Sequence, residues 1–271
     1  MTRALPDPAD IPVVILAGGM GTRLREETEN VPKPLVTIGE QPMLWHIMKL
    51  YGHHGFRRFV LCLGYKSWLI KDYFLNFRER LGDVTLDLSG DRDPMVHDHA
   101  GEEDWEVTLV ETGLHTGTGG RLGRVRRYVE DAETICFTYG DGIGSVDLTA
   151  ELTFHGSHDR IGTVTGVHPT SRYGEMRVDA DHNVLEFNEK PTRPEGFVSG
   201  GFFVFQRGIL DYVTGDEDLF FEKEPLQRLA RDQQLAVYEH DGYWLGMDTY
   251  RDFTELNDLW RQGAAPWKVW A

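Results

Sequence analysis

Cysteine is nearly absent from this chain: Cys62 and Cys136 are the two examples among 271 residues. Each lies inside an apolar run, without the partner spacing of a metal site or a disulfide framework, so both read as reduced, buried strand residues. Long hydrophobic runs are missing as well. No stretch approaches the roughly 20 apolar residues that cross a bilayer. The start, Met1 to Asp10, is polar and carries two prolines, so it lacks the apolar centre of a signal peptide. Residues 1–10 are expected to be a flexible leader and the protein to be cytoplasmic, with no membrane partner. Positive charge is scarce too: 28 Lys and Arg face 44 Asp and Glu, a formal net charge of −16. So acidic a surface repels nucleic acid at long range, which removes that class of partner and leaves room for a small phosphorylated ligand in a locally basic pocket.

What is present suits a single domain over 1–271, with 40% hydrophobic and 27% charged residues and ample material for a core. Strand-like runs cover 13–17, 58–63, 107–110, 134–138, 162–167, 176–179, 184–188, 201–205 and 235–239. Helical spacing covers 43–53, 66–77, 119–129, 148–158, 222–231 and 250–260; in the first of these, Leu44, Ile47, Met48 and Tyr51 share one face. This alternation predicts an α/β fold with helices on the faces of a sheet. A hairpin is expected across 179–183. Residues 89–106, rich in Asp and Glu, are expected to be an irregular surface excursion.

The most informative segment is Gly18-Gly19-Met20-Gly21-Thr22-Arg23-Leu24, directly after an apolar run, with Pro32-Lys33-Pro34 downstream. A strand ending in glycines exposes consecutive backbone N–H groups that can wrap a phosphate chain. No kinase-type P-loop occurs, and the dinucleotide fingerprint fails at Leu24. Two prolines stiffen the backbone that presents Lys33. Asp141 ends the run 134–138 between Gly140 and Gly142, where a side chain of an α/β sheet points into the ligand crevice. Asp248 precedes the helix at 250–260, so it reads either as a ligand of something bound or as an N-cap, with Thr249 the other candidate cap. Gly200 and Gly201 allow a close backbone approach or mark a bulge. Arg121 is either a pocket cation or part of a solvated basic face with Arg124, Arg126 and Arg127.

These motifs resemble the sugar-1-phosphate nucleotidylyltransferases, and among them the glucose-1-phosphate cytidylyltransferases. Further stretches carry the likeness: Leu44-Trp45-His46, Gly64-Tyr65-Lys66, Thr118-Gly119-Gly120-Arg121-Leu122, Phe137-Thr138-Tyr139-Gly140-Asp141-Gly142, Gly200-Gly201-Phe202 and Met247-Asp248-Thr249. The resemblance implies a Rossmann-like three-layer α/β/α sandwich with a mostly parallel mixed sheet, of the nucleotide-diphospho-sugar transferase type. It implies an enzyme that joins CTP and a sugar 1-phosphate, glucose 1-phosphate foremost, into a CDP-sugar and pyrophosphate. Arg23, Lys33 and Asp141 would be catalytic. Leu16, Ala17, Gly18, Gly19, Gly21, Thr22, Arg23, Lys33, Gly120, Arg121 and Gly140 would bind the nucleotide. Tyr139, Gly174, Glu189, Lys190, Gly200 and Gly201 would bind the sugar phosphate, and Asp141 with Asp248 would share one Mg²⁺. A homo-oligomer, trimer or hexamer, would follow, the aromatic tail of Trp260, Trp267 and Trp270 offering packing or a subunit contact. Alternatives are the same chemistry with UTP or dTTP or with a modified sugar phosphate, and a non-catalytic regulatory protein that binds nucleotide sugars.

Overall fold

The computed structural model describes residues 5–21, 24, 28–90, 92–97, 103–168, 175–178, 184–188 and 196–270. Its centre is a seven-stranded sheet built from β1 (Pro12–Leu16), β2 (Arg58–Leu63), β3 (Glu106–Glu111), β4 (Thr134–Tyr139), β5 (Gly162–Val167), β6 (Val198–Gln206) and β7 (Leu235–His240). The spatial order is β7-β5-β6-β4-β1-β2-β3. Strands β3, β2, β1 and β4 run parallel, as do β5 and β7, while β6 is antiparallel to both of its neighbours. The sheet is therefore mixed and mostly parallel.

Both faces of the sheet are covered, which explains why its strands read as apolar runs rather than alternating ones. Val13 and Ile15 face one core and Val14 and Leu16 the other; Phe202 and Val204 are likewise split from Phe203 and Phe205. On the first face lie α1 (Met43–His53) and α4 (Leu148–Gly156), and on the second α3 (Thr118–Arg124) and α5 (Glu224–Arg231). Helix α2 (Ser67–Leu75) follows β2, and α6 (Tyr250–Arg261) comes last. Cys62 and Cys136 are buried and free. Among the described residues no helix is long and apolar enough to cross a membrane.

Several segments depart from the sequence reading. Residues 5–10 are docked rather than loose: Asp7 accepts from the Ala9 N–H at 2.9 Å to cap a short 3₁₀ helix, and Leu5 packs against Gly156. Within 89–106, Met95–His97 pairs antiparallel with Asp83–Thr85. Glu103 reaches Lys49 at 2.5 Å and Trp105 packs edge-on to Phe59, so the end of this excursion is pinned to α1 and β2. The helix expected over 119–129 stops at Arg124 and gives way to a 3₁₀ turn. The strands Glu175–Val178 and Val184–Asn188 pair antiparallel; their expected turn at 179–183 lies outside the described residues.

The aromatic tail folds inward. Trp267 and Trp270 are buried and, with Trp45 and Trp260, ring His46 at centroid distances of 4.7 to 6.2 Å. Burial pushes the His46 imidazole down to about 4, so the neutral ring donates its Nε2–H to the Ile38 carbonyl at 2.9 Å. Of the two roles the sequence left open for the tail, packing or a subunit contact, packing is the one that Trp267 and Trp270 fill here.

Helix α4 also turns Glu151 into the core, where it is 1% exposed and accepts from the Thr165 hydroxyl at 2.7 Å. Burial pushes its carboxyl up to about 7, against the partial relief of that hydrogen bond. The native state thus holds a proton that the unfolded chain releases earlier, so stability falls as pH rises from about 4.5 to about 7. Glu151→Gln is expected to flatten this window and to gain up to about 3 kcal/mol relative to wild type at pH 8. Denaturant melts at pH 5 and pH 8 check it.

Candidate functional site

The site forms where the loops after β1 and β4 leave the sheet side by side, at the carboxyl ends of two parallel strands. The Ala17 N–H donates to the Cys62 carbonyl at 3.0 Å, and the Gly140 N–H donates to the Leu16 carbonyl at 2.9 Å. Beyond Ala17 the loop has no room for side chains at Gly18, where a Cβ would stand 2.1 Å from Arg121 Nη1. Gly21 has φ +60 and packs on Thr28 and Lys33, a left-handed backbone that glycine adopts without strain. Gly19 instead faces open space. Together with Leu16, Gly21, Lys33, Tyr139, Gly140 and Asp141 it lines a cavity of about 400 Å³, within the size range of small-ligand sites.

Beside the cavity wall that Lys33 and Asp141 line, three predicted residues from distant parts of the chain meet, Asp248 being the third. Lys33, 8% exposed and the first residue of a 3₁₀ turn between its two prolines, places Nζ 2.6 Å from Asp141 Oδ2 and 2.9 Å from Asp248 Oδ1. The Met247 N–H donates to the Asp141 carbonyl at 2.8 Å, which fixes the two acidic segments against each other. Asp248 is not the cap of α6. Thr249 is, in a capping box with Asp252, whose carboxylate also accepts from the Asp248 N–H at 3.1 Å. The Asp248 side chain is thereby turned to Lys33 and not to the helix end. Two carboxylates and one ammonium carry a net charge of −1, arranged to gather further cations around an anionic ligand.

Arg121 is 4% exposed and spends its guanidinium on the carbonyls of Gly18, Leu63 and Leu114 and on the Thr112 hydroxyl, at 2.7 to 3.3 Å. All four partners are neutral, so among these contacts no carboxylate cancels its charge. Burial accordingly pulls its pKa down, and a full cation backs the glycine loop at the cavity wall. The start of α3 serves packing as well as the cavity wall, which Thr118 and Arg121 line. Gly119 and Gly120 both donate their N–H groups to the Leu219 carbonyl at 3.0 Å, and a Cβ on Gly120 or Gly123 would strike the carbonyl of Asp216 or Thr214. These glycines let the segment at 214–221 lie backbone to backbone against α3. Gly120 therefore stands outside the cavity.

The Tyr139 hydroxyl donates to Glu222 at 2.6 Å, and the Thr118 hydroxyl donates to the other oxygen of the same carboxylate at 2.6 Å. The Tyr139 ring covers Gly201, whose φ of +80 sits beside a register shift between β5 and β6. Gly200 packs on Val167 and accepts from the Trp244 indole N–H at 2.7 Å. A Cβ at either glycine would collide with protein, which gives both a packing reason. Thr22, Arg23, Gly174, Glu189 and Lys190 lie outside the described residues.

Sequence reasoning missed Leu114, His115, Thr116 and Phe220 on the cavity wall. The first three follow the carboxyl end of β3, and the strand-end rule that flagged Asp141 would have flagged them too. Phe220 had no such signal, because its place depends on the glycine face of α3.

Residues 12–263 match the Nucleotidyl transferase family. The chain is 46% identical over 257 residues to glucose-1-phosphate cytidylyltransferase of Salmonella typhi, covering 95% of this chain and 98% of that protein. The Salmonella typhimurium enzyme of the same name gives the same identity and coverage. Among solved structures, HddC from Yersinia pseudotuberculosis complexed with GMP-PN superposes with a TM-score of 0.65 at 22% identity, over 92% of this chain and 99% of that one. The family match over residues 12–263 and the 46% identity across 95% of the chain lead to one conclusion: the chain belongs to the nucleotidyl transferase family, among the relatives of the glucose-1-phosphate cytidylyltransferases.

Proposed function

We propose that this enzyme joins CTP to glucose 1-phosphate, releasing pyrophosphate and forming CDP-glucose. An oxygen of the sugar's phosphate forms a bond to the α-phosphorus of CTP, the bond from that phosphorus to the β-phosphate oxygen breaks, and the electron pair leaves with pyrophosphate. Such transfers are accelerated by positioning and by neutralising charge, without a covalent protein intermediate. The observation that carries the reading is the Lys33 ammonium held between Asp141 and Asp248 on the wall of the glycine-loop cavity. The names of the Salmonella relatives support CTP and glucose 1-phosphate as substrates.

In this reading Lys33 contacts the reacting phosphate, Arg23 holds the phosphates that leave, and Arg121 supplies a fixed positive field behind the loop. The backbone of Gly18, Gly19, Gly21 and Gly140 brackets the nucleotide, while Glu189 and Lys190 serve the sugar and its phosphate. Asp141 and Asp248 suit a shared Mg²⁺: both present carboxylate oxygens, the donors this ion prefers, and both already gather a cation, Lys33. Among the described residues no group of three or more His, Cys, Asp or Glu is placed to hold a metal ion, so substrate phosphates and water would complete its shell. Bound there, Mg²⁺ would neutralise charge on the two substrates' phosphates.

A homo-oligomer belongs to the proposal as what the likeness to the glucose-1-phosphate cytidylyltransferases implies. So does a cytoplasmic location, supported by the two buried, reduced cysteines. Initial rates of pyrophosphate release with glucose 1-phosphate, across CTP, UTP, dTTP and GTP, test the nucleotide. CTP is expected to lead in kcat/KM by at least about tenfold, roughly 1.4 kcal/mol, and chelation of divalent ions is expected to stop release. UTP or dTTP in the lead would move the proposal to those nucleotides. Tight ligand binding without turnover on any of them would make the chain a regulatory binder.

A further inference from the structure

Helix α6 touches the site at one end and a hairpin at the other. The hairpin (Thr37–Ile38 paired with Gln41–Pro42) begins four residues after Lys33. Two side chains of α6 hold it. Asn257 accepts from the Gly39 N–H at 2.9 Å and lies 3.4 Å from the Thr37 carbonyl through its amide nitrogen, which also donates to the Phe253 carbonyl at 3.0 Å. The Nε1–Cδ1 edge of Trp260 lies against Gly39, whose φ of +63 and missing side chain allow the contact; a Cβ there would strike the indole. About two helical turns earlier, the capping box of α6 fixes the Asp248 backbone through Asp252. Between the hairpin and Lys33 the chain is stiff: a 3₁₀ turn with Pro34 inside it, then Val36, whose carbonyl accepts from the Met43 N–H at 2.9 Å.

Lys33 and Asp248 are 215 residues apart in the chain, so no local geometry sets their separation. A rigid element in contact with both segments does. We propose that Asn257 is a positioning residue, which by clasping the hairpin to α6 holds the Lys33 ammonium opposite Asp248 at the other end of the same helix. Asn257 touches neither Lys33 nor the cavity; it acts through the hairpin. Its consequence for turnover rests on the cytidylyltransferase reading, whereas its consequence for Lys33 does not.

The test measures the acylation rate of individual lysines by an amine-reactive reagent, read by peptide mass spectrometry on the full chain without substrate. In wild type, Lys33 is expected to react slowly because it is buried and doubly paired. Asn257→Ala is expected to raise the Lys33 rate about tenfold and to leave Lys71, whose ammonium pairs with Glu111 at the end of β3 and not with the hairpin, unchanged. Asn257→Asp keeps the acceptor for the Gly39 N–H and is expected to return most of the protection; it also serves if the alanine variant does not fold. In steady state the alanine variant is expected to lose kcat about tenfold with the KM for CTP within about threefold. An unchanged Lys33 rate in a folded variant overturns the proposal. So does a parallel rise at Lys71, or an aspartate variant that reacts like alanine. A wild-type protein that makes no CDP-glucose, yet shows the expected lysine pattern, would remove the functional reading and leave the positioning role intact.

Discussion

Asp141→Asn is expected to lower kcat by about 10²–10³-fold, the effect of losing one fixed electrostatic contact to a transition state, roughly 3–4 kcal/mol. Asparagine has nearly the shape of aspartate and can still accept a hydrogen bond from Lys33 Nζ through its amide oxygen. The backbone bond from the Met247 N–H to the carbonyl of residue 141 at 2.8 Å survives the change. What disappears is one negative charge, and with it the gathering of cations at the point where Lys33 and Asp248 converge. Folding should be unaffected, because the Asp141 side chain is 38% exposed and its ion pair contributes little to stability. Turnover measured beside a thermal melt checks both halves. A variant with activity within a few-fold of wild type would contradict the role given to Asp141.

Lys33→Met is expected to be at least as damaging, and in a different way. Local charge at the cluster goes from −1 to −2, since two carboxylates then lose the ammonium they share. A triphosphate approaching that wall meets repulsion instead of a cation, so the KM for CTP should rise while kcat falls, for a combined loss in kcat/KM of about 10³-fold or more. Methionine fills much of the volume of the lysine stem, and the two carboxylates, 38% and 35% exposed, can be solvated. Stability should therefore change little. Steady-state kinetics with CTP varied at saturating glucose 1-phosphate separates the two parameters. A change confined to thermal stability, with kinetics intact, would make Lys33 a structural ion-pair partner and nothing more.

The sheet was legible because its strands are buried on both faces and show as apolar runs; 58–63 and 162–167 coincide with β2 and β5. The glycine loop was legible for the same physical reason it works: a strand end that needs close approach cannot carry side chains, as Gly18 demonstrates against Arg121. Asp141 could be flagged from its place at a strand's carboxyl end. Its meeting with Asp248, 107 residues further along, could be reached only through family resemblance, since no periodicity links segments that distant. Lys33 as the group that bridges them was not foreseen. Gly120 could not be sorted from sequence, because a glycine that admits a ligand and one that admits a neighbouring backbone look the same there. The tail's tryptophans fitted packing or a subunit contact equally well in sequence, and only α1, which offers His46 at their centre, shows the packing. Asn257 gave no signal, because an asparagine two turns into a helix acquires its purpose only from the hairpin lying against it.

The measurement that bears most directly on the account follows oxygen through the reaction. Glucose 1-phosphate labelled with heavy oxygen at its phosphate is incubated with CTP and the enzyme, and the products are weighed by mass spectrometry. Direct attack by the sugar's phosphate on the α-phosphorus predicts that CDP-glucose carries all of the label and pyrophosphate none, with product from the Asp141→Asn variant forming about 10²–10³-fold more slowly. Label in pyrophosphate, or no CDP-sugar from the wild-type chain, would contradict it.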